Sequence, residues 1–237
     1  MPPGPNRPLL PELTRVLDAA EWDVALLQEA PPRWREQLAS SLGAESALVL
    51  TSRNCGAPVR GWIADRRPNL IKSNEGGSNQ LLVRPPWRLA SEPRVHTLTQ
   101  RPERRRMLWV RLAGPEGAEL AVANLHGSVD TVPGAAEQIV DAAAVAVEWA
   151  GESPLLFGGD LNLRVTRQPE LFELLASRFG LAPPTARDAI DHLLVRGLEI
   201  VQPPQRAPAS AREFVGEDGR TLRLSDHAYV TASFGMP

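Results

Sequence analysis

The sequence contains one cysteine, Cys55, and one lysine, Lys72, among 237 residues. A lone cysteine excludes an intramolecular disulfide and a cysteine-based zinc site. With a single lysine, nearly all positive charge is arginine, whose planar fork suits bidentate contacts with phosphate. No apolar run approaches the roughly 18 residues of a membrane-crossing helix. The N-terminus has no signal-peptide pattern. Charge of one sign is also lacking: the formal net charge is -2, so any contact with nucleic acid would have to be local. These absences lead to the expectation of a soluble, cytoplasmic, monomeric globular protein. No repeat or linker divides the chain, which reads as one domain over residues 1–237. Its first eight residues are Pro/Gly-rich, and the expectation is a disordered or truncated N-terminus.

Apolar periodicity places amphipathic helices at Leu9–Ala20, Arg33–Ser41, Gly134–Ala150 and Glu170–Phe179. Strands are expected at Asp23–Glu29, Ser46–Thr51, Gln80–Val83, Arg94–Gln100, Met107–Leu112, Glu119–Leu125, Pro154–Phe157, Ala189–Val195, Glu199–Val201 and His227–Ser233, with a Pro-rich loop before the last. Strands outnumber helices and only some alternate with them. This argues for two packed sheets flanked by helices and against a doubly wound parallel sheet.

Five strand ends carry the same kind of polar chemistry: Gln28-Glu29, Asn124-Leu125-His126, Gly159-Asp160-Leu161-Asn162, Ile190-Asp191-His192 and Ser225-Asp226-His227. Three of the four histidines lie in them, and His96 reads as structural or surface-exposed. Gly158-Gly159 ends a run of apolar residues and permits a tight turn or a close backbone approach. If Asp160 and Asn162 are both extended, their side chains point the same way. Taken singly, each segment is a common loop pattern. Five in one chain are harder to attribute to loops.

In this order the segments closely resemble the endonuclease/exonuclease/phosphatase superfamily, which includes deoxyribonuclease-type nucleases, AP endonucleases, neutral sphingomyelinases and inositol-polyphosphate phosphatases. The resemblance runs from about Leu9 to Phe234. It implies a four-layered α/β sandwich of two mixed β-sheets flanked by helices, with the active site at one end of the sheets. It also implies a Mg²⁺ ion, with Mn²⁺ as the alternative, held by Glu29 and Asp226. Asp160 would orient or deprotonate the attacking water, while Asn124 and Asn162 would donate to phosphoryl oxygens. His227 would contact the phosphate, with Asp191 fixing its tautomer. His126 would be a phosphate ligand or the acid for the leaving group, with Glu75 a weak candidate partner. His192 points the other way from Asp191 and is assigned a structural role.

Family members begin with a buried strand ending in a metal-binding asparagine. Here the only nearby asparagine, Asn6, lies among prolines. The expectation is that the given chain starts inside the first loop, through a misassigned start codon or a real truncation. The implied function is a metal-dependent phosphoesterase cleaving phosphodiester bonds, with DNA or another nucleic acid as the favoured substrate. One alternative is an enzyme of small phosphoesters or phospholipid head groups. The other is a catalytically impaired phosphate- or nucleic-acid-binding domain. The arginine-rich turn at Arg101–Arg106 is either a basic edge for nucleic acid or a solvated hairpin tip. Trp22, Trp109 and Trp149 are expected in the core; Trp34, Trp62 and Trp87 are candidate surface platforms.

Overall fold

Alternating side chains along the strands sort the molecule into layers. The computed structural model describes residues 9–51, 77–101, 103–215, 219 and 221–237. Asn6, Cys55, Trp62, Lys72 and Glu75 lie outside them. In chain order the elements are α1 (Leu10–Ala19), β1 (Val24–Ala30), α2 (Trp34–Leu42), β2 (Glu45–Leu50), β3 (Ser78–Val83), β4 (Arg88–Leu89), β5 (Arg94–Thr99) and β6 (Arg105–Ala113). There follow β7 (Glu119–His126), α3 (Ala135–Ala150), β8 (Leu155–Asp160), α4 (Pro169–Phe179), β9 (Asp191–Arg196), β10 (Glu199–Arg206), β11 (Glu213–Val215), β12 (Thr221–Arg223) and β13 (Val230–Gly235).

One sheet has the order β4-β6-β7-β8-β9, with β5 also on β6. It is mixed because β7 and β8 run parallel, joined through α3, whereas β6–β7 and β8–β9 are antiparallel. Opposite it lie the sheet β1-β3-β2, antiparallel throughout, and the ladder β10-β13. A small hairpin pairs β11 with β12. Three apolar clusters fill the three spaces between the layers. Leu38, Leu42 and Leu82 join Leu13 and Leu17 under α1 and α2. Leu81, Val83, Leu108, Val110 and Val122 lie between the sheets. Trp109, Ile139, Ala143, Phe157 and Leu175 pack α3 and α4 on the outer face of the six-stranded sheet. The period-two split of neighbours such as Leu81 and Leu82 between different clusters gives helix, sheet, sheet, helix: the four-layered sandwich.

Several boundaries differ from the sequence reading for physical reasons. The expected Pro-rich loop continues as strand β10 through Pro203 and Pro204, because among the described residues β10 pairs only with β13, and an edge strand tolerates missing N–H donors. The last strand begins at Val230, which leaves His227 in a loop. Trp34 and Trp87 are partly buried against apolar clusters and are not exposed platforms.

Gly158 and Gly159 are required by packing. A Cβ on Gly158 would lie 2.6 Å from the His192 carbonyl oxygen, and Gly159 has φ +123 with the Leu125 carbonyl, Gln28 and Asn124 crowded around it. Beside them, fully buried Asn124 ties the sheets together. Its Nδ2 donates to the carbonyls of Gln80 at 2.7 Å and Leu27 at 3.2 Å, and its Oδ1 accepts from Gln28 Nε2 at 2.7 Å. Replacing Asn124 by Ala strands these buried groups and is expected to lower unfolding free energy by roughly 2–4 kcal/mol. Urea denaturation measures this, and a loss under about 0.5 kcal/mol would contradict the clamp.

Candidate active site

Strand register brings the polar ends into one row. His126 on β7 is the Cα partner of Asp160 on β8, and Asp160 is the partner of Asp191 on β9. All three continue the parity of residues facing the space between the sheets, as Val122, Leu156 and Val195 do. At this end the apolar filling gives way to His126 and Asp160, both buried. Glu29 reaches the same place through a register shift between Leu27 and Ala30, with Glu29 itself at φ 56. A left-handed glutamate costs about 1–2 kcal/mol, and here it sits where chemistry is expected. Its carboxylate lies 3.9 Å from His126 Nδ1.

Asn162 departs from the extended geometry considered above. It has φ 58 and turns back on Asp160. Its backbone N–H donates to Asp160 Oδ1 at 2.9 Å, and its Nδ2 approaches Asp160 Oδ2 and the Gly127 carbonyl, both at 3.1 Å. His126 Nε2 is 3.3 Å from Asp160 Oδ2. From the loop before β13, His227 places Nδ1 at 3.0 and 3.1 Å from the two oxygens of Asp191, and its backbone N–H donates to Ser225 Oγ. Asp226 is exposed, its backbone carbonyl accepts from Arg212, and its charge reaches His227.

The charges of these groups are strongly shifted. Burial, and then the facing Asp191, push the Asp160 carboxyl up to about 7. The hydrogen bond to Asp191 holds His227 protonated, with its pKa raised to about 9. Burial lowers His126 to about 3, helped by the nearby positive charge of Arg105 and then His227. His126 is therefore a neutral ring that can donate one N–H, a poor match for an imidazolium acid. His192 lies on the other face, where Nδ1 accepts from the Thr185 N–H and Nε2 faces the carbonyls of Leu163 and Ala189. It pins the loops that follow β8 and precede β9.

Asp160, Asp191 and His227 offer ligand atoms that all lie within 4.8 Å of one another. His227 is held by Asp191, so it would have to give up its proton to ligate a cation, whereas the two carboxylates need not. Two expected roles change. Asn124 has both amide hydrogens and its oxygen engaged across the sheets, and at 0% exposure it is not presented to a substrate. Arg105 was read only as part of the basic turn, yet its guanidinium contacts the His126 ring. By parity it belongs to the opposite face of β6, with Met107 and Trp109. The length of its side chain carries it around the strand end, and alternation gives no signal of that.

The Asp191–His227 pair makes a pH prediction. Because His227's pKa lies above its ordinary value of 6.5, the pair's stabilisation is full below that value and is lost as pH rises through about 9. Asp191→Asn should therefore destabilise less at high pH than at pH 6. NMR titration of the metal-free protein should show His227 titrating near 9, and well below that in the variant.

The family model for endonuclease/exonuclease/phosphatase proteins matches residues 6–227. No curated protein matches the sequence. Similar solved structures include a member of that family from Bacteroides thetaiotaomicron, with TM-score 0.68 and 15% identity over 96% of this chain and 89% of that one. A mannosyl-6-phosphatase from the same organism has TM-score 0.66 and 14% identity, covering 95% of this chain and 90% of that one. The human Nocturnin catalytic domain with bound sulfate has TM-score 0.64 and 17% identity, covering 90% of this chain and 81% of that one. At these identities the structures speak for the fold, and together with the match over residues 6–227 they place this chain in the endonuclease/exonuclease/phosphatase family.

Proposed function

We propose that the protein is a divalent-metal-dependent phosphoesterase, with a nucleic-acid phosphodiester as its first substrate class. The observation that carries this reading is the row His126–Asp160–Asp191 with His227 bonded to its end, in which burial and Asp191 push the Asp160 carboxyl up to about 7. A carboxylate poised near neutral pH beside donors for phosphoryl oxygens suits in-line attack by water. Asp160 takes or orients the proton of that water. Neutral His126 donates to a phosphoryl oxygen, and Asn162, whose amide now bonds Asp160 and Gly127, would do so on turning away from them. The His227 imidazolium, anchored by Asp191, adds a positively charged donor.

The surroundings fit a hard cation: Asp160 and Asp191 offer carboxylate oxygens within 4.8 Å of one another, with Glu29 and Asp226 on neighbouring segments. Glu29 and Asp226 would hold the ion. When bound, it would neutralise charge on the phosphoester oxygens.

The nucleic-acid reading is supported by Arg101, Arg167 and Arg187, exposed residues of the chain. The last two lie on loops that follow Asp160 and precede Asp191. A small phosphoester is the second reading. It is favoured by the inward turn of Arg105 and Arg106, the latter bonded to the Leu50 carbonyl, which shortens the basic edge. A panel of DNA, RNA, inositol phosphates and phospholipids, assayed with Mg²⁺ and Mn²⁺, separates the two. Cleavage should disappear with chelator and fall roughly 10²–10⁴-fold in Asp160→Ala. Hydrolysis of no member of the panel, or Asp160→Ala at full activity, would reject the enzyme reading. Metal binding that Glu29→Gln leaves unchanged would remove Glu29 from the ligand set.

A further inference from the structure

The geometry points to Arg105 as a phosphate-binding catalytic residue of this site, its guanidinium donating beside the His126 ring to one non-bridging oxygen. This rests on the phosphoesterase reading above and adds a residue to it. Arg105 opens β6, and its side chain is only 14% exposed. Glu103, itself 71% exposed, accepts from Nη2 at 2.7 Å and tethers that side of the fork. The other side is turned inward, and Nη1 lies against the nitrogens of the His126 ring.

That inward contact is chemically incomplete. A neutral imidazole has one acceptor nitrogen and one N–H, so it satisfies at most one hydrogen of Nη1. A cation held against a neutral ring gains little unless an anion completes the arrangement. The His126 ring itself faces the Asp160 carboxyl from Nε2 at 3.3 Å and the Glu29 carboxylate from Nδ1 at 3.9 Å. A phosphoryl oxygen entering there accepts from Nη1 and from the His126 N–H at once. As negative charge accumulates on that oxygen during attack, the arginine's contribution grows. Arginine is suited to this because it stays charged when buried and its donors are fixed in a plane. The tether to Glu103 pre-orients it, so little rotamer freedom is lost on binding.

The test uses the full chain with Mg²⁺, bis(p-nitrophenyl) phosphate as substrate and inorganic phosphate as the ligand probe. Arg105→Ala should lower kcat/KM by roughly a hundredfold and weaken inhibition by phosphate about tenfold. Mn²⁺ affinity and thermal midpoint should stay near wild type, and added guanidinium ion should restore part of the rate. Arg105→Lys keeps the charge without the fork and should fall between the two; it also serves if the alanine variant does not fold. Phosphate inhibition and kcat/KM within about twofold of wild type in either variant would overturn the assignment. If the wild-type protein turns over no phosphoester, the phosphoesterase reading fails separately. Calorimetric titration with phosphate then still decides Arg105: binding that weakens about tenfold in the variants supports it, and equal or absent binding rejects it.

Discussion

The site depends on one buried amide. Apolar faces such as those of Leu81, Val83, Val110 and Val122 bring the two sheets together, but dispersion and desolvation have little directionality and do not by themselves set how the sheets are offset. Asn124 does, by bonding from β7 to the carbonyls of Leu27 and Gln80 and receiving Gln28. In a dry interior each of these bonds is costly to break, so together they select one relative position. Glu29 lies two residues beyond Leu27, and His126 lies two residues beyond Asn124. The distance between a carboxylate from one sheet and the row His126–Asp160–Asp191 on the other is thus fixed from within two residues of each.

Once that row is in place, its electrostatics follow from crowding. Asp160 is buried and faces a second carboxylate, so its charged form is disfavoured. Asp191 avoids isolation by pairing with His227, which stays protonated as a result. His126 is deep and has cationic neighbours, so it stays neutral. Three strand ends of similar composition therefore hold one proton-poised acid, one fixed ion pair and one neutral donor. Differences in burial and in neighbours, not residue type, separate the roles.

Sequence patterns made the layers and most of the site legible because both obey period-two alternation. Apolar pairs such as Leu81 and Leu82 announce a strand buried on two faces, and a polar residue that ends such a run announces a site. The same rule hid Arg105, whose strand parity assigns it to the helix-covered face. A six-bond side chain can leave the face on which it starts, and no periodicity records that. Asn124 is held away from a substrate for the opposite reason. Its parity is right for the site, but it stands one step too deep, where Gly158 and Gly159 let the backbones close around it. Depth along a strand depends on the neighbours across the sheet and between sheets, and those are set by long-range register. The β10 strand shows a further limit: prolines forbid a central strand but not an edge, and edge status is a property of topology.

Backbone strain marks the same location independently of charge. Among the described residues, Glu29, Glu116 and Asn162 are the non-glycine residues with positive φ, and two of the three are in the site. Glycine would adopt both conformations at lower cost. A glycine at position 29 would relieve the left-handed backbone but remove the carboxylate; at position 162 it would remove the amide that reaches Asp160 and Gly127. The bulge at Glu29 has a second effect, since an uninterrupted β1 would turn residue 29 by alternation toward α1 and α2, with Ala25 and Leu27. The strain is therefore the means by which a residue of the wrong parity is brought to the site. A long side chain does this at Arg105 and an irregular backbone does it at Glu29, so the site joins groups that regular strands alone would leave on separate faces.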